Sequence, residues 1–478
     1  MRAAAALVGP LLLVAPALYA GTMVWLRGGW QRSRAAAEAA RAAAKTTAGA
    51  PTEATSGLPG EATAVSPTAT VETAGAEETN VSAGAPAAAK PRPAPKGAEV
   101  SATAEAAPLL FSVLIAARDE AVALPQLLAD LTAQTLPAVC FEVLIADDHS
   151  TDGTGALVRA AAADSSFRLQ LVELQPIQTG KKAALTAALA QAGAPWLVCT
   201  DADCRLGPGW LAAYAGLLDS LPGPSLVGRG APNGLGTGTL SHRGGTGEGA
   251  SRQVGPQLDF ISGPVLLTGP DTFFQRLLGL EFVGLVGVGG ACIGCGAPTM
   301  CNGANLAYRR TAFDAINGYA AHAHLASGDD EFLMHQLHAA YPGTVRFLAD
   351  SAAVVRTAAP VTVGALLRQR VRWASKWRHY QSPASRCLAL LVLGANVALA
   401  AGALAALAWP ALGPWVGIAW VLKLGADWWL LAPVLRFLGA RKWLWQLLPL
   451  QLLYAPYALA VGAAGWRGGY RWKGRAVR

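Results

Sequence analysis

The stretch Trp196–Trp210, WLVCTDADCRLGPGW, places two aspartates, Asp201 and Asp203, at the end of a run that otherwise reads as buried strand. Like charges repel and seek solvent or a cation, so a carboxylate pair at a strand tip asks for an occupant. Upstream, FSVLIAA (111–117), FEVLIAD (141–147) and LQLVEL (169–174) are further short apolar strands. Helical stretches at Leu124–Gln134, Gly153–Ala163 and Lys182–Ala192 separate them. This alternation predicts a parallel sheet covered by helices, an α/β fold in which ligands bind beyond the carboxyl ends of the strands. Carboxylates gather there: DDHSTDGT (147–154) closes the second strand and DAD (201–203) the fourth. Asp148, Ser150 and Asp152 also suit turn and capping positions. That reading satisfies Asp152 but explains less well why two separate strand ends each carry an aspartate pair.

Outward from this core the composition changes. The 478-residue chain is 53% hydrophobic and 14% charged, more apolar than a soluble enzyme requires. Four long apolar runs account for the excess: Ala4–Leu26, Cys387–Trp409, Trp415–Leu435 and Trp443–Gly465. The first is long enough to cross about 30 Å of hydrocarbon as a helix. It is too long for a cleaved signal segment, and Leu18 suits a cut after Ala20 poorly, so it reads as an uncleaved anchor.

From Val361 to Arg478 there are 15 Lys or Arg against one acid, Asp427, and 11 of the 15 tryptophans lie in the same segment. Basic residues interleaved with apolar runs and an aromatic belt describe a membrane interface. They do not form the single soluble patch that a nucleic acid would need, so a nucleic-acid partner is excluded. Arg27, Arg32 and Arg34 follow the first run and set the middle of the chain in the cytoplasm, at the inner (plasma) membrane, where seven cysteines stay reduced. Three C-terminal spans would then put the basic tail WRGGYRWKGRAVR outside. Either the tail is an exception, or one of the last runs lies flat or re-enters. Lys423 and Asp427, four residues apart, would pair across one turn and make their run tolerable in lipid.

The chain divides accordingly. Residues 1–30 form the N-terminal anchor. Residues 31–107, rich in Ala, Pro and Thr, are expected to be a disordered linker, RSRAAAEAARAAAK extending the anchor as a short helix. A flexible chain of this length reaches roughly 50 Å and would transmit little orientation. Residues 108–360 form the α/β domain, with a flexible Gly-rich insertion at 228–255 that lacks the GxxxxGK[ST] of a phosphate loop. Residues 361–386 form an interfacial amphipathic helix, on which Gln369, Arg372 and Trp373 share one face while Leu367, Val371 and Ala374 make an adjoining apolar stripe. Residues 387–478 hold the C-terminal membrane region and tail. Cys292, Cys295 and Cys301 lack a well-placed fourth ligand for zinc. The Gly-rich run GLVGVGGACIGCG beside them has no dinucleotide-site context and reads as lying at the membrane face.

Taken in order, FSVLIAARDE, VLIADDHSTDGT, GKKAAL, TDADC, SGDDEFL and QRVRW resemble the motifs of the membrane-bound family 2 glycosyltransferases, over about Leu109–Tyr380. The group includes polysaccharide synthases, ceramide glucosyltransferases and bacterial lipid glycosyltransferases. The resemblance implies a GT-A nucleotide-diphospho-sugar transferase fold with one N-terminal and about three C-terminal transmembrane helices. Asp201-Ala202-Asp203 looks like the DxD motif, in which Asp203 with Asp201 would hold Mg²⁺ or Mn²⁺ against the donor diphosphate. Asp147 and Asp148 would contact base and ribose, Lys181 would lie near the nucleotide, and Glu120 is a further donor-site candidate. Within SGDDEFL, counting back three from Leu333 selects Asp330 as general base, with Asp329 as its one-residue alternative. Arg372 would face the diphosphate, Gln369 beside it is a further donor-site candidate, and Trp373 would floor the acceptor site. The sequence thus reads as an inverting, metal-dependent transferase moving a sugar from a nucleotide-diphosphate donor to a membrane lipid-type acceptor at the cytoplasmic leaflet, with a lipid or glycan acceptor and the lipid bilayer as its partners. A processive polysaccharide synthase is the runner-up and a catalytically silent scaffold the third reading.

Overall fold

Strands 111–117 and 141–147 are apolar apart from Ser112, Glu142 and Asp147 because both faces of a parallel strand are covered, and Ser112 donates to the buried Glu142 carboxylate. The computed structural model describes residues 8–48, 107–220, 258–322, 328–380, 382–467, 470–472 and 475–477. In chain order its first elements are α1 (Val14–Ala48), β1 (Phe111–Ala117), α2 (Leu124–Thr132), β2 (Phe141–Asp147), α3 (Thr154–Asp164), β3 (Arg168–Glu173), α4 (Lys181–Gln191), β4 (Trp196–Asp201), β5 (Cys204–Arg205) and α5 (Trp210–Asp219). There follow β6 (Phe260–Ser262), β7 (Val265–Thr268), α6 (Phe273–Gly294), β8 (Leu306–Arg309), α7 (Arg310–Ala315), α8 (Glu331–Ala340), β9 (Val345–Phe347) and β10 (Val355–Ala358). The last are α9 (Val363–Ala374), α10 (Pro383–Ala408), α11 (Gly413–Phe437), α12 (Leu447–Arg467), β11 (Tyr470–Trp472) and β12 (Arg475–Val477). The insertion 228–255, most of the 31–107 linker and the aspartate-preceding stretch 323–327 lie outside the described residues.

The main sheet runs β3-β2-β1-β4-β8-β6-β9, with β3, β2, β1 and β4 mutually parallel and β8 antiparallel to its neighbours. Register aligns the strand ends that matter: Ala117 is level with Asp147, and Ala116 with Asp201. Both aspartate-bearing turns therefore leave one edge of the sheet. A small sheet, β5-β10-β7, links the turn after Asp203 to β10, which leads directly into α9. The expected α/β fold is present.

The first helix corrects the boundary at residue 30. It continues to Ala48, and Tyr19, Met23, Leu26, Trp30, Ser33, Ala37 and Ala40 are buried along it. These positions alternate spacings of four and three, the pattern of a helix seam packed along its full length. The seam lies against α6, α11 and α5. At its crossing with α6 the backbones nearly touch, since a Cβ on Gly29 would stand 2.1 Å from the Ala291 carbonyl oxygen and one on Gly294 would stand 2.0 Å from that of Gly29. This explains GLVGVGGACIGCG: small residues let two helices approach. Ser33 donates to the Gly290 carbonyl, Arg32 to that of Gly294, and Arg41 pairs through two nitrogens with buried Asp350. The anchor is fixed to the catalytic layer, and the expectation that it transmits little orientation is overturned.

Among the described residues five helices are long and apolar enough to cross a membrane: 8–42, 273–294, 383–408, 410–437 and 441–465. The second, α6, is a segment that the sequence reading did not count. It is held by the α/β domain at both ends, where Gln275 Nε2 donates to the Pro360 carbonyl and Gly290 abuts the Phe347 ring. Helix α12 is similarly tied. Trp443, just ahead of it, covers Gly279 of α6, and Gly465 near its end meets Ala374 and Ser375 at the end of α9.

Candidate active site

Asp201 is the last residue of β4, and Asp203 follows in the exposed turn before β5. A carboxylate oxygen from each, with Cys204 Sγ, lies within 4.8 Å of the others. Cys204 is buried, burial and the two neighbouring carboxylates raise its pKa, and it does not line the cavity described below. The donor set offered to the cavity is therefore two hard oxygens, which fits Mg²⁺ or Mn²⁺ and not a thiophilic metal.

Lys181 opens α4, and its ammonium spans two sequence-distant acids, at 2.7 Å from Asp201 Oδ1 and 3.2 Å from Asp329 Oδ2. Burial opposes its charge, but Asp201 and Asp329 outweigh that and hold its pKa well above the usual value. The preceding Gly180 adopts φ +94°, a left-handed conformation that favours glycine, and its N–H donates to Asp148 Oδ2 at 3.0 Å. Asp148 is buried and also faces Arg118, whose guanidinium stands 3.7 Å from it. Its neighbour Asp147 turns away from the cavity. Asp147 accepts from the Ser150 N–H and hydroxyl, closing the turn, and does not line the cavity described below.

Asp330 caps the start of α8. Its Oδ1 accepts the Glu331 N–H at 2.7 Å and its Oδ2 the Gly303 N–H at 3.0 Å. Burial works to raise its pKa, yet the ammonium groups of Lys376 and Lys181 and the backbone donors win and hold it at about 2. Glu331 beside it is driven the other way, up to about 7, because burial outweighs Lys376.

On α9, Gln369, Arg372 and Trp373 all reach the same cavity. The apolar stripe expected beside them is different. Leu367 is exposed, and the helix buries Leu366 and Arg370 instead. Arg370 tolerates burial because its guanidinium pairs with Glu281 of α6, donates to Tyr457 of α12 and lies 4.3 Å from the centre of the Trp373 ring.

These groups share one cavity of about 890 Å³. Glu120, Asp148, Lys181, Asp201, Asp203, Asp329 and Asp330 line one part. Leu388, Leu430, Leu431, Leu447 and Tyr454, from α10, α11 and α12, line another. Sequence reasoning missed Arg118, Gly303, Glu331, Arg370 and Lys376. Four of them stood inside or beside quoted motifs: Arg118 in ARDE, Glu331 in SGDDEFL, Arg370 in QRVRW and Lys376 three residues after Trp373. Only Gly303, in CNGANLAYRR, had no such signal.

Two family models match this chain: Glycosyl transferase family 2 over residues 112–251, and Glycosyl transferase family group 2 over residues 249–459. The chain belongs to the family 2 glycosyltransferases. Its mixed sheet is the GT-A fold, and its activity class is transfer of a sugar from a nucleotide-sugar donor. Among solved structures, the mannosyltransferase PcManGT from Pyrobaculum calidifontis, in complex with GDP-Man and Mn²⁺, is 20% identical, with 73% of this chain and 87% of that one covered and a TM-score of 0.42. S. aureus TarS 1–349 with UDP-GlcNAc is 12% identical over 77% and 95% of the two chains, at a TM-score of 0.35. Glucosyl-3-phosphoglycerate synthase from Mycobacterium tuberculosis, with Mn²⁺ and UDP, is 17% identical over 55% and 77%, at 0.33. No curated protein sequence matches this glycosyltransferase.

Proposed function

We propose that this chain is an inverting, divalent-metal-dependent glycosyltransferase that moves one sugar from a nucleotide-diphosphate donor to a membrane lipid-type acceptor at the cytoplasmic leaflet. The observation that carries the reading is the single cavity, which joins the strand-end carboxylates to a chamber among apolar helices. A donor bound at a strand edge and a lipid held between helices would meet inside it.

In this reading Asp201 and Asp203 would hold Mg²⁺ or Mn²⁺, which would supply positive charge to the departing diphosphate. Asp148 and Glu120 lie toward the nucleoside, and Lys181, Gln369 and Arg372 toward the phosphates. Asp330 accepts the acceptor hydroxyl proton as the new oxygen–carbon bond forms and the bond to the diphosphate oxygen breaks. Trp373, packed on Phe282 with ring centroids 6.2 Å apart, floors the acceptor side. The contacts that hold both ends of α12 near α6 and α9 support a path in which this helix stays on the catalytic side, keeping the basic tail in the cytoplasm.

A processive polysaccharide synthase is favoured by one observation. The cavity wall among the membrane helices also carries Lys423, Asp427 and Gln451, a polar stretch in an otherwise apolar chamber. The two readings separate when purified protein is incubated with a panel of radiolabelled sugar nucleotides and extracted lipids, and products are sorted by solubility and size. Lipid transfer yields a discrete organic-soluble product; a ladder or large water-soluble polymer sinks that reading.

A further inference from the structure

The base loop holds a cation that the transfer step does not use. Lys376 lies in the 3₁₀ turn Ser375–His379, immediately after α9, and its side chain is only 12% exposed. Its Nζ stands 3.6 Å from Asp330 Oδ1 and 3.8 Å from Glu331 Oε2. Tyr380, four residues on, donates its hydroxyl to Glu331 Oε2 at 2.7 Å. Two buried adjacent acids would otherwise suppress each other's ionisation. One ammonium between them, with a phenol on the outer acid, offsets part of that conflict.

We propose that Lys376 is a positioning residue for the base: carried in by the interfacial helix, its ammonium holds the Asp330 carboxylate in place, while Glu331 and Tyr380 fix Lys376. This rests on Asp330 being the base. The geometry gives α9 a second task besides presenting Gln369, Arg372 and Trp373. Because Lys376 follows the same helix, seating α9 against α6 and α12 is what delivers the cation to the base. The directions of the charge effects agree. Burial lowers the Lys376 pKa, but Asp330, Glu331 and Asp329 raise it further, so the ammonium persists.

The test is the pH profile of kcat/KM for full-length Lys376→Met, Lys376→Gln and Lys376→Arg, beside donor KM and kcat. Asp330 also faces Lys181 and Lys182 from α4, Asp329 and Glu331 from its own loop, Cys301, and Tyr380, while Arg372 faces Lys376. All of these remain in the three variants. Loss of the ammonium favours the protonated carboxyl, so the acid limb moves to higher pH, by about one unit or more for an opposite charge at this range. In Met and Gln variants kcat at neutral pH, where Asp330 is ionised either way, falls about tenfold through loss of its positioning while donor KM changes little. Arg restores most of both. If Met does not fold, Gln carries the reading alone. An acid limb and kcat that stay at wild-type values, or a loss that appears wholly in donor KM, overturns the proposal. Asp330→Asn separates the two levels: full activity there removes the base assignment itself, whereas an inactive Asp330→Asn beside a wild-type-like Lys376→Gln removes only the role of Lys376.

Discussion

Two charge clusters line the same cavity, and they are built on opposite principles. Among the membrane helices Lys423 and Asp427 are almost fully buried, and every polar atom answers another. Lys423 Nζ donates to Asp427 Oδ2 at 2.7 Å and to Gln451 Oε1 at 3.0 Å, while Tyr19 and Gln451 donate to Asp427. One cation meets one anion, and α1, α11 and α12 are tied together. At the catalytic end Asp201, Asp203, Asp329, Asp330 and Glu331 outnumber Lys181 and Lys376. A balanced cluster serves assembly. An excess of carboxylate at a strand edge calls for a cation and for a proton to accept.

Substitutions break this comparison in order of expected size. At the catalytic end, Asp203→Asn or Asp330→Asn lowers transfer by about 10²–10⁴-fold without unfolding the protein in detergent. Chelator reproduces the Asp203 effect reversibly on wild type, and Asp330→Asn still binds nucleotide. Turnover without metal would remove the cation from the account. The Asp330→Asn phenotype appearing instead in Asp329→Asn would shift the base by one residue. At the membrane end, Asp427→Leu strands Lys423 and destabilises by about 3–5 kcal/mol. The double change Lys423→Met/Asp427→Leu recovers most of it in a thermal melt. A double variant no better than the single would show that the pair does not balance.

The first helix sharpens the contrast from outside the cavity. Gly29→Leu forces a side chain against the Ala291 carbonyl and costs about 1–3 kcal/mol, whereas Gly21→Leu, with open space around it, is close to neutral. Equal melting temperatures would contradict the seam. Smallest is Arg41→Ala, at under about 1 kcal/mol, because Arg41 is itself half exposed although Asp350 is not.

The sheet was legible because parallel strands advertise themselves as apolar runs closed by turns. The strand-end acids were legible because a strand has no structural use for paired carboxylates. The 19, 23, 26, 30, 33, 37, 40 seam was equally written in the chain, but several of its members are Ala and Ser, and composition hid the spacing. Asp147 and Asp148 show the opposite limit. Adjacent residues at a strand end leave in different directions, and only the turn geometry decides which reaches the cavity. Arg370 was unreadable for a related reason. Its burial depends on Glu281 and Tyr457, each more than 80 residues away.

The central claim is that donor chemistry and membrane chamber form one continuous site. It is tested most directly by narrowing the chamber without touching the charges. Ala389 and Leu390 line the cavity at exposed positions of α10, so a larger side chain is tolerated there by the fold. With purified Ala389→Trp and labelled donor, transfer to extracted lipid is expected to fall roughly tenfold or more through misplacement of the acceptor, while nucleotide binding stays at the wild-type level. Undiminished lipid transfer in Ala389→Trp and Leu390→Trp would contradict the claim.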